Sequence, residues 1–154
     1  MTNITLDAAS QIADATLAKG RDAGMMPLTV AVLDSGGHMV AFKREDGSGI
    51  LRPEIAFGKA WGAIGMGISS RLLRDRLADR PTFIGALSTA SGGRLIPVPG
   101  GVLVRDDNGA VMGAVGVSGD TSDKDEAAAI AGIMAAGLRA DPAEADPDWE
   151  ASRL

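Results

Sequence analysis

His38 is the only histidine in the 154-residue chain, and it stands just past the glycines of VAVLDSGGHMVAFKREDG, Val30 to Gly47. An imidazole there could ligate iron, relay a proton or bind a carboxylate. A lone histidine at a strand start is more often a surface or hydrogen-bonded structural residue. Lys43, Arg44, Glu45 and Asp46 follow in a row; of these, Arg44 suits a two-pronged grip on a carboxylate. Lys59 is the only charged residue between Glu54 and Arg71, within EIAFGKAWGAIGMG. An amine among apolar groups either loses basicity, holds an anion, or reaches back to water along its own stem. Asp125 and Glu126 open the last helical segment, where the helix dipole alone favours acids. The catalytic reading turns Glu126 inward to Lys59, as general base or ion-pair partner. In PVPGGVLV, Gly100 and Gly101 precede a strand, so bare backbone amides can approach a ligand closely. GVSGD, ahead of the last helix, offers an anion nest.

Much chemistry is excluded. The chain has no cysteine, so disulfides, iron–sulfur clusters and thiolate metal sites are out. No GK[ST] follows a glycine-rich loop and no GxSxG elbow occurs. No His/Glu cluster has metal-ligand spacing, so no metal site is expected unless His38 meets heme iron. Net charge is −5 without a basic stripe, and aromatic content is 3% with no tyrosine. These argue against nucleic acid and against an anionic membrane surface. No apolar run approaches the ~20 residues of a membrane span. The N-terminus lacks a basic segment followed by an apolar one. The expected location is cytoplasmic.

The elements that must position these residues can be read from periodicity. Residues 5–23 form a helix capped by Thr5, with Leu6, Ala9, Ile12, Ala13 and Leu17 on one face and Gly24 at its end. Residues 28–34 and 38–44 form a hairpin about Asp34-Ser35-Gly36-Gly37. Alternation puts His38, Val40, Phe42 and Arg44 on one face. His38 and Arg44 are then roughly 20 Å apart, too far to act as one pair. Both strands are apolar on both faces, so each face needs a cover, and one cover could be another subunit. Pro53 opens an Ala- and Gly-rich helix, and its course brings Lys59 back over the strand end beside Arg44. Ser70 caps RLLRDRLADR, which Pro81 ends. Residues 82–100 read as a helical turn followed by a broken loop. A second hairpin spans 101–117 about Asp106-Asp107-Asn108-Gly109. Ser122 and Asp125 resemble a cap for the last helix. The Pro- and acid-rich residues 141–154 form a tail, loose unless Trp149 docks. The fold class is α+β: one domain, residues 1–140, with an antiparallel sheet and flanking helices.

In this order, VAVLDSGGHMVAFKREDG, EIAFGKAWGA, IPVPGGVLV and GAVMGAVGVSGDTSDKDEAAAIAGI resemble the GlcG/HbpS-like family, which includes the C-terminal domain of PduO-type proteins. The resemblance spans residues 4–138. It implies a profilin-like fold, higher-order homo-oligomers and, in some relatives, heme as cofactor. The family-pattern positions are Asp34, Gly37, His38, Arg44, Asp46, Lys59, Gly100, Gly101, Gly116, Ser118, Gly119, Asp125 and Glu126. Relatives that ligate heme through a first-helix histidine have no counterpart here, since residues 5–23 contain none. Heme iron would take His38, a methionine, a hydroxyl or an oxygen ligand instead.

Two functions follow from these residues. One is an oligomeric small-ligand-binding protein for heme or another flat anionic organic molecule, held by Arg44, Lys59, His38, Gly100 and Gly101. The other is a cofactor-independent isomerase, hydratase or lyase on a small acidic or aromatic catabolite. In it Lys59 or Arg44 holds the carboxylate and stabilises an enolate, while Glu126 or His38 moves the proton. No motif decides whether the chain is an enzyme, and a structural or regulatory oligomer with no small ligand is the third reading.

Overall fold

A computed structural model describes residues 3–154. The elements are α1 (Leu6–Asp22), β1 (Thr29–Asp34), β2 (Met39–Arg44), α2 (Arg52–Met66), α3 (Ser70–Leu77), α4 (Pro81–Ala90), β3 (Gly101–Arg105), β4 (Val111–Ser118), α5 (Ser122–Ala135) and β5 (Arg139–Asp141). A short 3₁₀ turn follows at Trp149–Ala151. The strands form one antiparallel sheet in the order β2-β1-β4-β3-β5. This is the α+β class expected, and both hairpins lie in the sheet.

Valines on alternate strand positions give the sheet one thick apolar face. Val30, Val32, Val102, Val104, Val115 and Val117 pack there against Ile12 and Leu17 of α1 and Ile133 of α5. Each such side chain, fully buried, contributes roughly 1.5–3 kcal/mol. The opposite face carries Leu33, Leu103 and Ala114, covered by Ala60 and Ala63 of α2. Here the sequence uses small residues because backbones touch. A methyl group on Gly116 would stand 1.8 Å from the Ala56 carbonyl oxygen, and one on Gly101 would stand 2.2 Å from that of Lys59. Only glycine fits between this helix and this sheet.

Several local expectations change. Both faces of β1 are covered by the chain's own helices, so the two-sided apolarity of this strand needs no second subunit. β2 is the outer strand, and Met39 and Phe42 stay exposed. A bulge opposite Val32 and Leu33 breaks its alternation, so the adjacent Val40 and Ala41 both pack toward the α1/α5 core. The cap of α3 is Ser69, whose hydroxyl accepts from the Leu72 N–H; Ser70 is the first helical residue. The cap of α5 is Thr121, which accepts from the Lys124 N–H, and not Ser122. Pro81 starts a helix of 10 residues where one turn and a loop were expected. Residues 139–141 add a fifth strand. The tail is tied down: the Arg71 guanidinium donates to the Glu144 carbonyl, and the Lys19 ammonium lies 5.4 Å over the Trp149 ring. Among the described residues, no helix is long and apolar enough to cross a membrane.

Candidate functional site

Three of the charged positions singled out by type, Lys59, Asp125 and Glu126, lie in a buried cluster where α2, β4 and α5 meet. Lys59 projects from the small-residue face of α2. Its Nζ donates to the Val117 carbonyl at 2.9 Å and to Asp125 Oδ2 at 3.1 Å. Asp125 Oδ1 accepts the Asp120 N–H at 2.9 Å. Lys59 is 2% exposed and Asp125 1%. Burial pushes the amine down and the Asp125 carboxyl up, each against the attraction of its partner. Gly100 has φ +123° and leaves room for this amine, since a methyl group there would stand 2.8 Å from Lys59 Nζ. Gly101 donates its N–H to Ser70 Oγ at 2.7 Å. Both glycines therefore fit the helix and its lysine against the sheet.

Glu126 does not turn to Lys59. It takes the forked Arg71 guanidinium, through Nε at 2.9 and 3.1 Å and through Nη2. Burial raises the Glu126 carboxyl even so; for Arg71 the pull of Glu126 outweighs burial and raises it. The physical reason for the exchange is helical phase. Adjacent residues on a helix point about 100° apart, so Asp125 and Glu126 cannot both face Lys59. Lys59, Asp125, Glu126 and Arg71 are thus each committed to a partner within the cluster.

The open surface near the first hairpin is different. Met39, Pro53, Phe57, Gly92, Gly93 and Arg94, with Glu54, line a groove of about 410 Å³ whose walls are mostly apolar. The Arg94 guanidinium stacks 4.3 Å from the Trp61 ring centre and donates through Nε to the Ser91 carbonyl at 2.8 Å. No acid neutralises it by direct ion pairing among the described residues. Gly37, with φ +82°, lies on the same indole, because a methyl group there would stand 3.2 Å from the ring. His38 follows, with its side chain 82% exposed and Nδ1 3.3 Å from Asp34 Oδ1. That oxygen also accepts the Gly36 and His38 N–H groups at 2.9 Å each. The His38 N–H is the main cause holding the Asp34 carboxyl below its usual range, supported by Gly36 and the imidazole.

Arg44 sits at the far end of β2, as the strand length requires. It lines a cleft of about 500 Å³ with Arg21, Met25, Pro27, Glu45 and Asp46. Its Nη1 donates to the Ser48 carbonyl at 2.7 Å, while Glu45 accepts from the Leu28 N–H and from Arg21. Lys59 does not reach this cleft, so the expected Arg44–Lys59 pairing does not form. Sequence reasoning missed Phe57, Trp61 and Arg94. Phe57 and Trp61 are i and i+4 on α2, so they share a side; Arg94 follows Gly92 and Gly93, whose φ of +64° and +80° turn the loop onto α2.

Comparison with known proteins places the chain. A family model described as "Haem degrading protein HbpS-like" matches residues 4–134. An uncharacterized 15.0 kDa protein of the dhaT-dhaS intergenic region in Citrobacter freundii is 31% identical over 125 residues, covering 81% of this chain and 86% of that protein. A double mutant of Streptomyces reticuli HbpS is 30% identical, with TM-score 0.74 and 87% of each chain covered. The heme complex of PduOC shares the fold, with TM-score 0.80 and 23% identity, covering 89% of this chain and 97% of that one. The chain belongs to the HbpS-like family.

Proposed function

We propose that this protein is an oligomeric small-ligand-binding protein that holds heme or another flat anionic organic molecule in the groove of Met39, Phe57 and Arg94. The observation that carries the reading is an apolar groove with an arginine at its wall that has no carboxylate ion-pair partner among the described residues. Flat apolar surface gains from Phe57, Pro53 and Met39, while an anionic substituent gains from Arg94. The groove's volume is in the roughly 300–1,000 Å³ range of small-molecule sites. The residues of the groove fit heme: apolar walls would suit the macrocycle, Arg94 a propionate, and Met39 the iron. When bound, heme supplies a redox-active iron within a conjugated ring. This chain's part is to exclude water from the ring, pair a carboxylate and present a donor atom. Kinship with HbpS and the fold shared with the PduOC heme complex support the choice of ligand.

The oligomer is supported by apolar surface that the chain leaves uncovered. Ile50 is 93% exposed and Leu51 63%, and α4, made mostly of apolar residues, has none buried. Such surface favours contact between copies. Light scattering at micromolar concentration should give more than one subunit; a monomer would remove this part of the proposal. The catalytic alternative built on Lys59 and Glu126 has no comparable support, because both are committed to buried partners. Hemin titration followed at the Soret band tests the binding reading. Saturable 1:1 binding per subunit is expected, weakened at least about tenfold in Arg94→Ala, roughly 1.4 kcal/mol. No saturable binding, or full affinity in Arg94→Ala, would refute it.

A further inference from the structure

We infer that Glu54 decides which ligands the groove accepts: the anionic group of the ligand lies at the Arg94 end, and the opposite end takes a cation or a hydrogen-bond donor and rejects a second anion. This rests on the groove-binding reading above and names its ligand class, an aromatic carboxylate whose far end is not acidic. Glu54 lines the groove together with Phe57 and Arg94. Among the described residues it forms no ion pair. Its neighbour Arg52 is engaged elsewhere, donating to Ser118 Oγ at 3.1 Å. A carboxylate in the first turn of a helix is favoured by the helix dipole whatever it faces. What sets Glu54 apart is the arginine on the wall of the same groove.

The two charged ends are spaced by α2. Glu54, Phe57 and Trp61 follow one another at three and four residues, so they form one stripe along the helix. Gly58 clamps the Arg94 main chain onto that helix. A methyl group there would stand 2.4 Å from the Arg94 carbonyl oxygen, and the Ile96 N–H donates to the Gly58 carbonyl at 3.3 Å. The guanidinium then lies on Trp61, with Nε held by the Ser91 carbonyl. Seven residues of helical rise put Glu54 about 10 Å from Trp61 along the axis. Two charge-assisted hydrogen bonds of about 2.8 Å each leave about 5 Å between the polar ends of a ligand. A single aromatic ring with para substituents spans that distance, with Phe57 beside it.

Amide NMR titrations followed at Gly92–Arg94 test this at low ionic strength, with benzoate, para-(aminomethyl)benzoate and terephthalate as probes. The three share a ring and a carboxylate and differ only at the far end, which carries a hydrogen, an ammonium or a second carboxylate. Wild type should bind the ammonium compound at least about threefold tighter than benzoate, and terephthalate at least about threefold weaker, the scale of an ion pair open to solvent. Glu54→Gln should bring all three within about twofold of one another, and Glu54→Lys should invert the order. A purely dipolar role would lower stability and leave the order as it is. The wild-type order surviving in both variants would therefore overturn the assignment to Glu54. Shifts at Gly92–Arg94 with none of the probes would overturn the ligand class as well, while the hemin titration decides the groove reading separately.

Discussion

Two groups of charged side chains flank α2, and they differ in what surrounds them. The Lys59–Asp125 and Arg71–Glu126 pairs are walled in by α2, β4 and α5, with hydrogen bonds that use up each charge. Arg94 stands in the open on the wall of an apolar groove, stacked on Trp61, and His38 is exposed on the turn beside Asp34. The difference teaches that an isolated charge in an apolar helix marks a structural lock when the topology brings an acid to it. A cation able to serve a ligand is found instead where a loop lays it on an aromatic ring.

The largest effect should come from breaking the lock. Lys59→Met leaves Asp125 buried without its cation and should cost about 3–5 kcal/mol in urea unfolding. Lys59→Met with Asp125→Leu should cost less than Lys59→Met alone, because no buried charge is left unpaired. If Lys59→Met were instead stable and lost ligand affinity, the lock would be a site and the contrast would fail. Next, Gly101→Ala forces a methyl group onto the Lys59 carbonyl and should cost about 1–3 kcal/mol, or more if α2 cannot shift. Thermal unfolding reads this directly.

Much of the fold is legible in the sequence because it obeys period and turn rules. Thr5, the glycines of both hairpins and the alternating valines are enough to mark α1 and four strands. β5 escapes because three residues carry no period, and its pairing with β3 depends on where the chain returns. α4 escapes because PTFIGALSTA buries nothing, so its apolar residues show no one-sided pattern. Lys59, Asp125 and Glu126 are visible as a group, yet their pairing is not. Which acid meets the lysine depends on the phase of α5 against α2, a tertiary fact. The groove is least legible, because Phe57 and Arg94 are 37 positions apart and meet only through the loop after α4.

A smaller effect concerns the neighbour of the lock. Hydrogen bonds from the Met26 and Thr121 N–H groups, with the charge of Lys124, outweigh burial and hold the Asp120 carboxyl below its usual range. Its folded value is lowered, so its contribution is complete above the unfolded value near pH 4 and is lost as pH falls through the folded one. Asp120→Asn should cost about 1–3 kcal/mol at neutral pH. It should also flatten the acid side of the stability curve below about pH 4, measured by urea unfolding across pH. An unchanged acid limb would detach Asp120 from this account.

The central claim is that the ligand lies in the groove by Trp61 and not at the Arg44 cleft or the buried lysine. Amide NMR of the protein titrated with diamagnetic zinc protoporphyrin tests it most directly, since chemical shifts report the site by residue. The account predicts the largest shifts at Met39, Phe57 and Gly92–Arg94, spreading to His38 through the turn. Shifts concentrated instead at Arg21 and Arg44–Asp46, or at Lys59, Gly100 and Gly101, would contradict it.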